Sequence, residues 1–207
     1  MNLGFELGVT NISRRGDSLP WWHSYAAISG ALPDLVLEGE GGRLHGATAL
    51  NGWTIDLTGL DLSSGFTLHA RGHLDYAGEP ATFPRLVEIG TDGDPSNRQS
   101  LMIQKSTSQV RVISRQTDVV RFSASFPDPT VSTGSPFEST IRFAPHDFAA
   151  AMPGAITQFD TAGGVPAGLN RLFLRSAAGE PPVSGRVDLV VLWASALADT
   201  DLETYAP

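Results

Sequence analysis

The chain has 207 residues, 41% of them hydrophobic and 17% charged, so it can bury one large core and lacks the charge-rich, apolar-poor make-up of a disordered protein. Its formal charge of −8 makes every approach to a phosphate repulsive, which disfavours general nucleic-acid binding. With no cysteine, a disulfide framework and thiolate metal ligation are both excluded.

Residues 1–50 are irregular in pattern. Met1–Glu6 has no basic region followed by an apolar run, and no stretch approaches the ~18 apolar residues of a membrane span. The expectation is a protein made in the bacterial cytoplasm. This part carries Gly39, Gly41, Gly42 and Gly46 and a dense aromatic cluster, Trp21, Trp22 and Tyr25 with His23 between them. It either completes the fold as first strands or forms an arm that attaches to a neighbour.

From residue 51 onward, alternation with period two dominates and helical periodicity is scarce. Phe66, Leu68 and Ala70 take one face of a strand, and Thr67, His69, Arg71 and His73 take the other, read as solvent-facing. Leu101–Lys105 and Gln109–Arg115 follow, then Arg121–Phe126, where Phe122, Ala124 and Phe126 point inward. Thr140–Phe143 and Arg171–Arg175 obey the same rule. Val187–Trp193 is almost continuously apolar and reads as a central strand covered on both sides. Turn residues separate the runs at Thr91–Asn97, Phe126–Pro129, Gly163–Pro166 and Gly179–Pro182. Asp199–Tyr205 reads as one helical turn with Asp199 as its N-cap. So many strands without intervening helices predict an all-β, antiparallel two-sheet sandwich over residues 51–207.

The closing element carries a resemblance. It consists of Gly185, an alternating strand ending in Trp193, a link with Leu197, and a capped turn at Ala198–Leu202. Gly65–Leu68, the hairpin Leu86–Gly90, polar loop, Leu101–Ile103, and the strand Arg171–Leu174 come before it in order. The set resembles concanavalin A-like or laminin-G-like jelly rolls of phage, prophage and gene-transfer-agent structural proteins. Two positions depart from that pattern: Ala198 stands where Ser or Thr is common, and Arg175 where a glycine is usual. The resemblance implies a module that binds glycans or serves in assembly. Related jelly-roll glucanases carry Glu-x-Asp-x-x-Glu on one strand. Here the nearest approach, Glu88 to Asp92, has the wrong spacing, so a non-enzymatic role is expected.

Several residue sets are candidates for contact. Trp21, Trp22 and Tyr25 suit stacking on sugar rings or anchoring to a partner, and equally suit closing one end of the core. Trp53 and Trp193 lie in apolar strand patterns and read as core. His69, Arg71 and His73 with Thr67 suit a sugar-binding face, or a plain polar face. Asp92, Asp94 and Asn97 gather the oxygen donors that calcium takes, and are also standard turn residues; no other cofactor is indicated. Lys105 is the single lysine, so basic recognition falls to arginine. Arg111, Arg115, Arg121, Arg142, Arg171 and Arg175 lie on predicted strands, where they either read an acidic polysaccharide or pair with Asp and Glu. The functional expectation is a homo-oligomeric virion component (tail fibre, baseplate or head spike) that recognises host surface polysaccharide. The alternative is a purely structural virion protein joining an adsorption fibre to the capsid or tail.

Overall fold

The computed structural model describes residues 12–13, 35–38, 43–44, 53–74, 85–91, 93–104, 109–126, 135–174 and 185–205. In chain order these form β1 (Ile12–Ser13), β2 (Leu35–Glu38), β3 (Arg43–Leu44), β4 (Trp53–Asp56), β5 (Phe66–Leu74), β6 (Arg85–Thr91) and β7 (Asp94–Gln104). They continue with β8 (Gln109–Gln116), β9 (Val119–Phe126), β10 (Ser135–Ala144), β11 (Asp147–Ala151), β12 (Gln158–Asp160), β13 (Arg171–Leu174), β14 (Gly185–Trp193) and the helix α1 (Asp199–Tyr205). Two antiparallel sheets result. Sheet I runs β1-β4-β13-β6-β7-β8-β9, and sheet II runs β12-β11-β10-β5-β14-β2, with β3 also pairing β14. The fold is the expected all-β jelly-roll sandwich. The described pieces of residues 1–50 are strands of it: β1 extends sheet I, and β2 and β3 line β14 in sheet II.

Alternation builds the interior. Val87, Ile89, Leu172, Val110, Val112, Phe122, Ala124 and Phe126 come from sheet I, and Phe66, Leu68, Ala70, Ile141, Phe143, Phe148, Val190 and Leu192 from sheet II. The two layers meet through aromatic rings. Phe122 of sheet I stacks on Phe148 of sheet II with centroids 5.5 Å apart, and Phe148 meets Phe143 edge-on at 6.0 Å. Gly65 enters β5 at φ 116°, and a Cβ there would lie 2.7 Å from that of Ala144, so only glycine lets these two strands close up.

β14 is buried on both faces, as its apolar run predicts. Val190 and Leu192 face the core, while Leu189, Val191 and Trp193 pack with Leu197 in a second cluster on the outer side of sheet II. Trp193 is thus buried, but outside the main core. After it the chain folds back over sheet II. Leu197 N donates to Thr67 Oγ1 at 3.0 Å, and that hydroxyl donates to Ser195 O at 3.0 Å. The helix follows, placing Leu202 against Ala149 and Ala151.

Arg142 locks this cover down. Only 5% exposed, it donates to Leu197 O at 2.8 Å and Asp199 Oδ1 at 2.6 Å through one nitrogen, and to Asp147 Oδ1 at 2.5 Å through another. The expected N-cap is therefore wrong by one residue. Ala198 holds that position, its carbonyl accepting from Leu202 N at 3.3 Å, and Asp199 turns its carboxylate to Arg142 instead of capping. A charge-assisted bond to the buried guanidinium outweighs one backbone donor. Replacing Arg142 by Ala removes three donated bonds at once and should lower the unfolding free energy by about 2–3 kcal/mol in a urea titration.

The hairpins also depart from the sequence reading. The expected polar loop over residues 91–97 is mostly strand: β7 already begins at Asp94, which pairs with Thr91, and Arg98 and Gln99 lie opposite Gly90 and Ile89. Gly93 at φ 76° lets the chain reverse tightly enough to leave the following residues for pairing. The β8–β9 turn places Thr117 and Asp118 at φ 49° and 61°, a left-handed pair that suits Asn-Gly. Its strain is borne by the neighbouring hairpin, where Asn97 Oδ1 accepts from Thr117 N at 3.0 Å and Ser96 O from Asp118 N at 3.0 Å. The double variant Thr117→Asn, Asp118→Gly keeps both backbone bonds and should gain about 1 kcal/mol, read as a raised melting temperature.

Candidate ligand-binding face

With sheet II covered by residues 194–205, the outer face of sheet I carries the other polar set among the described residues, part of it shielded. Its strands bring arginines together that are far apart in sequence. One cross-strand row reads Asp56 on β4, Arg171 on β13, Gly90 on β6, Arg98 on β7 and Arg115 on β8. Arg98 and Arg115 are direct partners on adjacent strands, roughly 5 Å apart at the backbone, and Arg171 lies two strands from Arg98, roughly 10 Å away. The next row reads Thr54, Phe173, Glu88, Ser100, Ile113 and Ser123.

Burial separates a floor from a rim. Glu88, Arg98 and Ile113 are shielded at 0%, 6% and 3% exposure. Arg111, Arg115, Arg171 and Phe173 are half-buried, and Ser123 and Ser125 are exposed. A Cβ at position 90 would sit 3.6 Å from Phe173 Cε2, an ordinary packing distance, so the ring lies beside the glycine between the two arginine-bearing strands. Arg171 is steadied by Asp56 at 2.8 Å, and Arg98 lies 3.9 Å from Glu88. The Asp56 carboxyl is held below the usual carboxylate range chiefly by hydrogen bonds from the Thr58 side chain and backbone, with Arg171 adding less. Arg111 Nε donates to Ser123 Oγ at 2.9 Å, and Arg115 approaches exposed Asp118 only to 4.0 Å. The face therefore gathers guanidinium groups at steps of one and two strands beside a partly open aromatic ring. Chemically it can accept planar, hydroxyl-rich anions.

Of the arginines singled out in sequence, the structure brings Arg111, Arg115 and Arg171 to this face. Arg142 lies on sheet II and is fully engaged in fastening the helix. Arg121 is exposed at the β9 edge, its stem against Gly163. Arg175 lies outside the described residues, as do Trp21, Trp22, Tyr25 and Asp92. So do the side chains of His73 and Trp53. Asp94 uses both carboxylate oxygens within its own turn. Oδ1 accepts from Ser96 N at 2.9 Å and Ser96 Oγ at 2.5 Å, and Oδ2 from Asn97 Nδ2 at 2.8 Å. Asn97 in turn serves the β8–β9 hairpin. Among the described residues no three His, Asp or Glu side chains group as metal ligands. Arg98, Gly90 and Phe173 were not singled out. The only signal for them was register, which places residues 171, 90, 98 and 115 in line and which spacing along the chain does not reveal.

The row Thr67, His69, Arg71 corrects the sequence reading. Arg71 is exposed as expected, but Thr67 and His69 are both 0% exposed, and Thr67 is held by bonds to Ser195 and Leu197. His69 Nδ1 lies 2.9 Å from Thr140 Oγ1, and Nε2 lies 3.5 Å from Glu138 Oε1. Burial first, and the Arg71 charge second, push its pKa from 6.5 to about 4. The ring is thus neutral at pH 7, and its contact with Glu138 is not an ion pair. The unfolded chain binds this proton and the folded one refuses it. Stability is full above pH 6.5 and is lost as pH falls through 6.5 toward 4, by about 3 kcal/mol at most. Burial raises the Glu138 pKa, with Arg71 opposing, so the folded state takes up that proton more readily and offsets part of the loss. His69→Gln should flatten the stability profile between pH 6.5 and 4 relative to the parent, measured by chemical unfolding at each pH.

No protein-family model matches the sequence, and no curated protein matches it by sequence. Similarity is found among solved structures. The carbohydrate-binding module CBM40 of the Ruminococcus gnavus IT-sialidase superposes with a TM-score of 0.58 at 16% identity, covering 84% of this chain and 99% of that one. The NanB sialidase of Streptococcus pneumoniae gives a TM-score of 0.57 at 16% identity, covering 83% of this chain and 28% of that one. A Trypanosoma rangeli sialidase complex with 2,3-difluoro-KDN gives 0.55 at 16% identity, covering 82% and 27%. The chain thus spans nearly all of the isolated module but under a third of the sialidases. These likenesses establish the jelly-roll sandwich. They lend nothing to the phage setting that the closing element resembles.

Proposed function

We propose that this chain is a non-catalytic glycan-binding module whose sheet I outer face reads an acidic sugar. The observation that carries this is the row Arg171–Gly90–Arg98–Arg115, crossed at its glycine by the Phe173 ring. A carboxylate offers two oxygens to the guanidinium fork, a geometry that lysine does not match. The aromatic ring suits the apolar side of a sugar, and Ser123 and Ser125 offer hydroxyls at the rim. Support also comes from the fold: the Ruminococcus gnavus module was solved bound to α2,3-sialyllactose, superposing here at a TM-score of 0.52 and 16% identity. A sialic acid carries the carboxylate that such a row suits.

The setting we propose is a virion or virus-like particle, where a homo-oligomer would display many weak sites at once. The resemblance of Gly185–Leu202 to phage jelly rolls supports this. The second reading, a structural virion protein without glycan contact, is favoured by the aromatic cluster Trp21, Trp22 and Tyr25 as an attachment element. Deleting residues 1–30 separates the two. Lost particle assembly with glycan binding retained places the anchor there, whereas lost assembly in a chain that binds no glycan supports the structural role.

The test of the binding reading is titration of the full chain with sialyllactose and with a polyuronate, using lactose as neutral control. Binding should favour the acidic ligands and weaken as salt rises. Arg171→Ala with Arg115→Ala should weaken it at least about tenfold, as expected for loss of charge-assisted bonds. Equal affinity for lactose, or indifference to the double variant, would contradict the assignment.

A further inference from the structure

The inner face of sheet I is not apolar throughout. One cross-strand row reads Leu172, Ile89, Gln99, Ser114 and Phe122 from β13 to β9. Its ends belong to the hydrophobic core and its middle is polar. Gln99 is 1% and Ser114 0% exposed, and they are direct partners across β7 and β8. Gln99 Oε1, Gln99 Nε2 and Ser114 Oγ are all buried with no protein hydrogen-bond partner.

The connection from sheet II to sheet I, residues 161–170, closes this end of the interior. At one end Gly163 O accepts from His146 N at 3.1 Å. There Gly163 runs so close to β9 that a Cβ would lie 2.7 Å from that of Arg121, at φ 91°. At the other end Gly168 O accepts from Thr91 Oγ1 at 3.0 Å, and Asn170 N donates to Gly90 O at 3.0 Å. Leu169 joins the core, and Val165 packs against it. The loop thus runs from beside β9 to beside β6 and is tied down at both ends.

We propose that Gln99 and Ser114 bind ordered internal water on the inner face of sheet I. A buried polar atom with no partner costs more than a made hydrogen bond gains, so three together in a core require satisfaction. A direct bond between the two side chains serves only part of the need. One hydroxyl reaches either the amide oxygen or the amide nitrogen of a planar group, not both. A water molecule takes two to four polar partners, roughly the number that these side chains supply.

The test is water-to-protein magnetisation transfer in the full chain, read at the Gln99 side-chain amide. The parent should show a cross-peak to long-lived water, and Ser114→Ala should reduce or abolish it. The variant Gln99→Met, Ser114→Ala makes the row apolar and should melt at the same temperature as the parent or higher. An amide without contact to long-lived water, or one bonded to a protein oxygen in a high-resolution structure, overturns the proposal. The parent measurement decides the matter by itself if the double variant does not fold.

Discussion

Every strand has two faces, and a sandwich must bury one of them. That constraint governs the rest of this molecule. Phe66, Leu68 and Ala70 on one side, and Phe122, Ala124 and Phe126 on the other, close the interior through their own alternation, with the Phe122–Phe148 stack as a direct link between layers. Whatever the protein recognises must meet an outer face, an edge or a loop. The outer face of sheet II is largely taken, because β14 is apolar on both sides and draws the following link and helix over it. Sheet I turns polar residues outward, with Glu88 and Arg98 shielded and Arg111, Arg115, Arg171, Ser123 and Ser125 reaching solvent.

The charge pattern follows from this division. The chain as a whole is acidic, yet sheet I places Arg98, Arg111, Arg115 and Arg171 on a single face against Glu88 and Asp56. Two of these arginines are held by carboxylates, which fixes their orientation, while Arg111 and Arg115 have only weaker neighbours. Sheet II uses its arginine differently. Arg142 bonds to two carboxylates and a carbonyl and fastens the last helix, so an identical side chain serves stability on one sheet and stands on the proposed contact face of the other. Local partners decide which.

Much of the fold is legible in the sequence because period-two alternation is a local property. It gave the strands at Phe66, Gln109, Arg121 and Val187 their place and facing. What escaped was long-range. Nothing near Thr67 announces that Ser195 and Leu197 fold back to its hydroxyl, and nothing near Asp94 announces that β7 begins there and not after Asn97. Only the resemblance, with Ser or Thr common at position 198, pointed to the N-cap there, since Asp199 is the better capping residue by type and was drawn away by Arg142. The site suffered most. Arg171, Gly90, Arg98 and Arg115 are dispersed along the chain and become neighbours only through pairing, so Phe173 and Arg98 could not be picked out by spacing.

The central claim is that one outer face, that of sheet I, carries recognition. Residue-resolved NMR titration with sialyllactose tests it most directly. The account predicts that shifts concentrate at Gly90, Arg98, Arg115, Arg171 and Phe173, with the outer side of sheet II silent. Shifts centred on Arg71 or on the exposed β12 residue Phe159, with the arginine row unmoved, would contradict it.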